Sequence, residues 1–416
     1  MRGTGAVIFL VLSAVAVAAD WPQFLGPARD GRTSEPVVSQ FGSDGPQISW
    51  KVPVGAGFAG PAVADGRVVL FHRVGGEAVL EAWSAGDGKR LWKRSWPTGY
   101  RDDFGFDNGP RSTPTIHGDV VVAYGADGRL VCVKAATGEP VWEKDLAEEM
   151  DSPKGWFGRA CAPLVVGDLV VVLAGGRWQG KPAGVAAFRL GDGAVAWTSS
   201  GDEASYSSPA VMRFGDRSAV VCFLRSGVEW IDPSGGKLLA REGFKPDIAA
   251  SVSACTPIST GPGLVFLSGC YGMGARVWEV GEGFKVSAVW SKGDALDCHY
   301  GTPVVHDGLL FGFHGRQEEG TELRCVRASD GEVVWSSRLP SGAVILAGAA
   351  KASEATLVVL TEKGEMVLAP ATAKGFEPTA RGQILGATAR AYPALSGGRL
   401  FARDGKSMVA VKLTKS

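Results

Sequence analysis

Nine polar or aromatic residues of this chain stand one to four positions ahead of a recurring proline. They are Arg111 and Thr113 before Pro114, Arg159 before Pro163, Tyr206 before Pro209, Ser253 before Pro257, His299 and Tyr300 before Pro303, and Arg390 and Tyr392 before Pro393. Their types define a chemistry. A guanidinium forks onto a carboxylate through parallel hydrogen bonds, and a ring offers a face for stacking. Gathered at one mouth, these arginines, tyrosines and the histidine would hold a flat anionic ligand such as an organic acid or an acidic peptide. The same groups could instead tie neighbouring repeats together through hydrogen bonds to loop carbonyls, and the sequence leaves both roles open.

Other chemistries find less support. The five histidines do not cluster, and neither a Ser/His/Asp arrangement nor a zinc spacing is visible, so no catalytic residue is assigned. The stretch from Trp96 to Pro110 is the longest internal loop. It carries Asp102, Asp103, Asp107 and Asn108 among Tyr100, Phe104 and Phe106. Its spacing fits no calcium loop, so no metal site is expected, and it reads as a lid. Lys plus Arg and Asp plus Glu both number 43, which gives no net charge for neutralising phosphates and argues against nucleic acid as a partner. Seven cysteines leave at least one thiol free within the chain. Cys255 and Cys298, which approach the same mouth, are the best-placed pair for a disulfide.

These residues must be positioned by a repeat. The prolines Pro61, Pro114, Pro163, Pro209, Pro257 and Pro303 are separated by 53, 49, 46, 48 and 46 residues, and the step to Pro393 is 90, two periods of 45. A copy without the proline therefore lies between, filled by the apolar runs Thr356–Leu360 and Met366–Leu368. Each copy holds about four strand-length apolar runs. Copies end on a Gly-x-x-x-Trp turn or a weaker form of it, giving Trp92, Trp142, Trp197, Trp290 and Trp335, with Leu239 in the fourth copy. A large ring at that point can stack on the neighbouring copy and cover its glycine backbone. The chain predicts an all-β fold, an eight-bladed β-propeller of four-stranded blades occupying residues 48–416 as one domain. The last copy stops before any tryptophan, and Trp50 in the strand 48–54 has no copy of its own. Joining the two closes the ring and removes exposed edges.

Ahead of the ring, residues 20–47 are expected to pack on the propeller as an extension. Residues 1–19 read as a signal peptide. Arg2 precedes an apolar run from Ala6 to Val17, and Ala16-Val17-Ala18 is a small-x-small cleavage site, with cleavage near residues 18–20. The expectation is a periplasmic or secreted protein with no transmembrane segment.

The repeat, in copies such as "ADGRLVCVKAATGEPVW", resembles that of quinoprotein-type, or pyrroloquinoline-quinone-like, propellers. The segments "WPQFLGPARDG", "GPRSTPTIHGD", "GFHGRQEEGTELRC" and "RAYPALSGGRLFARD" look like a secreted subgroup found in planctomycetes and acidobacteria. Catalytic relatives bind the quinone on the propeller axis beside a calcium or lanthanide ion. A non-catalytic relative is the propeller subunit of the outer-membrane barrel-assembly machine. This sequence lacks the adjacent cysteine pair of the enzymes and their C-x-x-C-H haem motif. The resemblance therefore implies a binding or scaffold module for a protein, a peptide or a small anionic ligand, with no cofactor. The alternative is an alcohol or sugar dehydrogenase dependent on pyrroloquinoline quinone and Ca2+.

Overall fold

Short β-branched runs broken by glycine turns pair as antiparallel hairpins. A computed structural model describes residues 20–249, 251–350 and 354–414. The expected leader lies outside the described residues, and no helix among them is long and apolar enough to cross a membrane. Among the described residues thirty-two strands form eight four-stranded antiparallel sheets, the eight-bladed propeller that the spacing predicts. Blade 1 runs from Ala62–Ala64 to Arg90–Pro97, and blade 7, the copy without a proline, from Gly342–Ala347 to Ala380–Gln383. In blade 8 the strand Gln47–Pro53 pairs with Ser407–Lys412, from Gln47 opposite Lys412 to Pro53 opposite Ser407. The N-terminal strand thus completes the C-terminal blade. Middle strands such as Val120–Tyr124 are buried along their whole length, because neighbouring blades cover both faces of the sheet.

The tryptophans seal the joints between blades. Each indole N–H crosses to the last turn of the following blade. Trp50 donates to the Ala85 carbonyl, Trp92 to Ala135, Trp142 to Leu190, Trp197 to Pro233, Trp290 to Ala328 and Trp335 to Thr372, at 2.7–3.0 Å. At five of these joints the ring also lies over a glycine of that turn. A Cβ on Gly88, Gly138, Gly193, Gly236 or Gly331 would stand 2.6–2.8 Å from the indole above it. The glycine and the tryptophan of one Gly-x-x-x-Trp turn therefore serve two different joints.

The extension enters the ring itself. Trp21 exchanges backbone hydrogen bonds with Val63, and Ile116 N–H donates to the Pro22 carbonyl. Arg29 is fully buried and donates to the carbonyls of Ala162, Pro163 and Pro209, pinning the segment to blades 3 and 4. Thr33 N–H donates to Leu346 of blade 7, and the Glu35 carboxylate accepts from Gly397 and Gly398 of blade 8. Residues 21–35 thus fasten six of the eight blades together.

The candidate site in the axial cup

The chain approaches each innermost strand in an extended conformation, so successive side chains point alternately toward the axis and away from it. The consequence is a parity, which His299 breaks. The residue three positions ahead of each proline faces the axis in all seven copies that have one: Phe58, Arg111, Ala160, Tyr206, Ala254, Tyr300 and Arg390. Together with Phe24 from the extension they line a cavity of about 350 Å³ at the mouth of the ring.

The position just ahead of the proline has a second task. Gly60 N–H donates to Thr113 Oγ1 at 3.0 Å, Ala162 N–H to Ser208 Oγ at 2.9 Å, and Thr256 N–H to Thr302 Oγ1 at 2.9 Å. The Tyr392 hydroxyl accepts from Thr302 N–H at 2.6 Å and donates to its carbonyl at 2.9 Å. Thr113 and Tyr392 border the cavity, but their hydroxyls are spent on the blade-to-blade girdle.

Of the nine residues singled out by sequence, seven come together at the cup and two do not. Arg159 and Ser253 stand four positions ahead of their prolines and point away. Arg159 is buried and holds the Ser152 carbonyl, Ser152 Oγ at 3.0 Å and the Ala126 carbonyl at 3.4 Å. Ser253 is fully buried. His299 shares their position but lines the cup. Its Nδ1 donates to Gln317 Oε1 at 2.6 Å, and its Nε2 accepts from the Tyr271 hydroxyl at 2.9 Å. Burial lowers the pKa of His299, which agrees with a neutral ring carrying its proton on Nδ1.

Each arginine of the cup has a carboxylate. Arg111 pairs with Asp102, Arg390 Nε with Glu362 Oε2 at 3.2 Å, and Arg316 Nη1 with Glu319 Oε1 at 3.3 Å. Rings take the guanidinium faces. Arg111 lies 5.6 Å and Arg390 5.7 Å from the centre of the Phe58 ring, and Arg316 lies 4.8 Å from that of Tyr271. Another part of the wall is apolar. Phe104 stacks on Phe157 at 5.1 Å and contacts Phe106 and Trp156, and Phe157 meets Tyr206 edge-on at 5.4 Å. Phe104, Phe106 and Ile248 are each about half exposed.

The long loop shapes this wall without gathering a cation. Asp102 accepts from Phe104 N–H at 2.8 Å, Asp107 from Gly109 N–H at 2.6 Å, and Asp103 pairs with Lys154 at 2.5 Å. The expected disulfide is not formed. Cys255 and Cys298 are both buried free thiols, and the Cys255 thiol donates to the Thr256 carbonyl at 3.6 Å.

Sequence reasoning missed the rest of the cup. Phe58, Ala160 and Ala254 were legible from the parity. Tyr271, Arg316, Gln317 and Glu318 arrive on hairpin loops of blades 5 and 6; the length of "GRQEEGT" was the only signal for the last three, and Tyr271 had no signal. Phe24 had none.

Residues 76–337 match the sequence model of the family described as outer membrane protein assembly factor BamB. Among curated protein sequences none matches the chain. The fold is similar to that of BamB from Moraxella catarrhalis (TM-score 0.61, 12% identity, 89% of this chain and 98% of that one). It is also similar to quinohemoprotein alcohol dehydrogenase from Comamonas testosteroni (TM-score 0.63, 14% identity, 96% and 81%). A europium-containing methanol dehydrogenase aligns at TM-score 0.53 and 14% identity, over 83% and 90%.

A quinone with its cation does not fit the residues of the cup. A hard cation needs several oxygen ligands in one place, and no group of three acidic, histidine or cysteine side chains among the described residues could supply them. A tricarboxylate would also have to displace the carboxylates that Arg111 and Arg316 already hold.

Proposed function

The chain belongs to the propeller family described as outer membrane protein assembly factor BamB, and we propose that it is a non-catalytic binding module that receives an apolar segment of a protein or peptide partner in its axial cup. The observation that carries this reading is the composition of the cup. Its arginines are neutralised by carboxylates, while the wall of Phe104, Phe106 and Phe157 continues outward as exposed rings. Isolated exposed apolar residues are ordinary, but a contiguous cluster at the lip of a cavity marks an interaction site. A partner side chain seated there gains about 2–3 kcal/mol from burial, roughly 30- to 150-fold in Kd. The proposal places the protein outside the cytoplasm, on the strength of the leader pattern alone.

The test is selection of a displayed library of random dodecapeptides on the purified protein. Enrichment of peptides with aromatic or branched apolar residues is expected, and a Phe104→Ser/Phe106→Ser variant of unchanged melting temperature should lose them. Enrichment that ignores this variant would overturn the assignment. A saturable absorbance change with pyrroloquinoline quinone and calcium would overturn the non-catalytic reading.

A further inference from the structure

The polar groups of the cup are not equally committed. Arg111 has spent its guanidinium, with Nη2 on Asp102 and on the Asp107 carbonyl at 3.1 Å, and Nη1 on Tyr100 Oη at 3.3 Å and the Gly109 carbonyl at 3.4 Å. Arg316 lies on the rim, about a third exposed, and is held by the two glutamates that follow it in its own loop. Arg390 differs from both. Only its Nε is engaged, with Glu362. Its two terminal nitrogens make no hydrogen bond to the protein among the described residues, yet the side chain is three-quarters covered and borders the cavity. The guanidinium lies over the rings of Phe58 at 5.7 Å and Tyr300 at 6.0 Å. The Tyr300 hydroxyl is buried beside Ser341 without a well-aligned hydrogen bond.

A guanidinium edge with two free N–H groups matches one carboxylate. Phe104 and Phe157 of the aromatic wall line the same cavity as Arg390. We propose that the cup selects an aromatic ring bearing a single carboxylate, the ring against Phe104 and Phe157 and the carboxylate on the terminal nitrogens of Arg390. The inference rests on the cup being a binding site and names its ligand chemistry. Two sources share that chemistry: a free aromatic monocarboxylic acid, and an aromatic residue at the C-terminus of a peptide. A second or third carboxylate adds nothing, because Arg111 and Arg316 are already paired.

Calorimetric titration of the purified protein separates these readings. The probes are 3-phenylpropionate, its amide 3-phenylpropionamide, and Ala-Ala-Phe with a free or an amidated C-terminus. The acid should bind at least tenfold tighter than the amide. Arg390→Gln should reduce that ratio to about one while leaving the amide unchanged. Glu362→Gln, which removes the competing carboxylate and keeps its shape, should tighten the acid several-fold and so tests the corner even if the arginine variant fails to fold. A free aromatic acid as source predicts that 3-phenylpropionate binds tighter than Ala-Ala-Phe, and a chain end predicts the reverse. Equal binding of acid and amide to the wild-type protein would overturn the carboxylate corner and leave the cup reading standing. Failure of all four probes to bind would overturn both.

Discussion

Gly138→Ala tests whether the tryptophans or the turns themselves impose the glycines. Gly138 has φ +74°, and a Cβ there would stand 2.6 Å from Trp92 Cε3 and 2.9 Å from Cδ2. Gly118 occupies a turn of the same blade with φ +57° and nothing within 4 Å of its Cβ position. Both substitutions force an L-residue into the left-handed region, at about 1–2 kcal/mol. Gly138→Ala alone must also displace an indole that is 7% exposed and hydrogen-bonded to Ala135 at 2.8 Å, an overpacking cost of about 1–3 kcal/mol. Urea unfolding followed by intrinsic fluorescence should therefore place Gly138→Ala about 1–3 kcal/mol below Gly118→Ala. Trp92→Ala by itself should cost about 3–5 kcal/mol. In the Trp92→Ala background the added penalty of Gly138→Ala should fall to that of Gly118→Ala, since the clash has been removed. If the two glycine variants agree within about 0.5 kcal/mol, or if the cycle shows no coupling, the tryptophan is not what excludes a side chain there.

Three further outcomes follow from buried polar groups. Burial pushes the Asp297 carboxyl up to about 7, opposed by Arg324 and assisted by Asp294. The native state then keeps a proton that the unfolded chain releases near pH 4, so this group's contribution to stability falls as pH rises between those values. Asp297→Asn should raise the melting temperature at pH 8, with the gain shrinking toward pH 5, and a gain independent of pH would refute the burial of this carboxyl. All seven thiols are buried, and burial pushes Cys132, Cys161, Cys270 and Cys325 up to about 12. The native protein should react with less than one equivalent of a thiol reagent and the denatured protein with seven, and a melting temperature lowered by reductant would reveal a disulfide. Arg159→Met should strand the Ser152 carbonyl and cost about 1–3 kcal/mol, while leaving peptide binding at the cup unchanged.

The ring was legible in the sequence because its joints repeat. Proline, glycine and tryptophan recur at a spacing set by four strands, and even the missing copy showed as a doubled interval. The cup was half legible for a related reason. Arg111, Tyr206, Tyr300 and Arg390 were found because they precede the prolines, but Arg159 and Ser253 were grouped with them only because the alternation of an extended chain was not applied. Counting in twos from each proline would have set those two aside and brought in Phe58, Ala160 and Ala254, although it would also have dropped His299, which lines the cup. Tyr271 and the Arg316–Glu318 loop lie outside the repeat, in hairpins whose length varies from blade to blade. Phe24 reaches the cup through a segment more than 300 residues from Tyr392, on which it packs edge-on at 5.3 Å, and no local pattern foretells such a contact.

Two joints lack the tryptophan, and each is closed by a different device. Blade 4 ends on Leu239. There the last turn of blade 5 sends Phe284 back onto Phe214 at 5.6 Å, with Arg217 over its ring at 4.9 Å, so the aromatic lid comes from the opposite side. Blade 7 ends at Ala380–Gln383, and Pro46, just ahead of the strand that completes blade 8, packs on Gly382 with Phe41 beside it. The extension that supplies Pro46 and Phe41 also supplies Trp21, Phe24 and Arg29 to the axis. Sealing the last joint, closing the ring and building the floor of the cup are therefore tasks of one segment. A ligand resting on Phe24 touches the piece that holds the ends of the propeller together. Where it binds only the closed ring, mass action makes it stabilise that closure by RT ln(1 + L/Kd), growing with L, the concentration of free ligand.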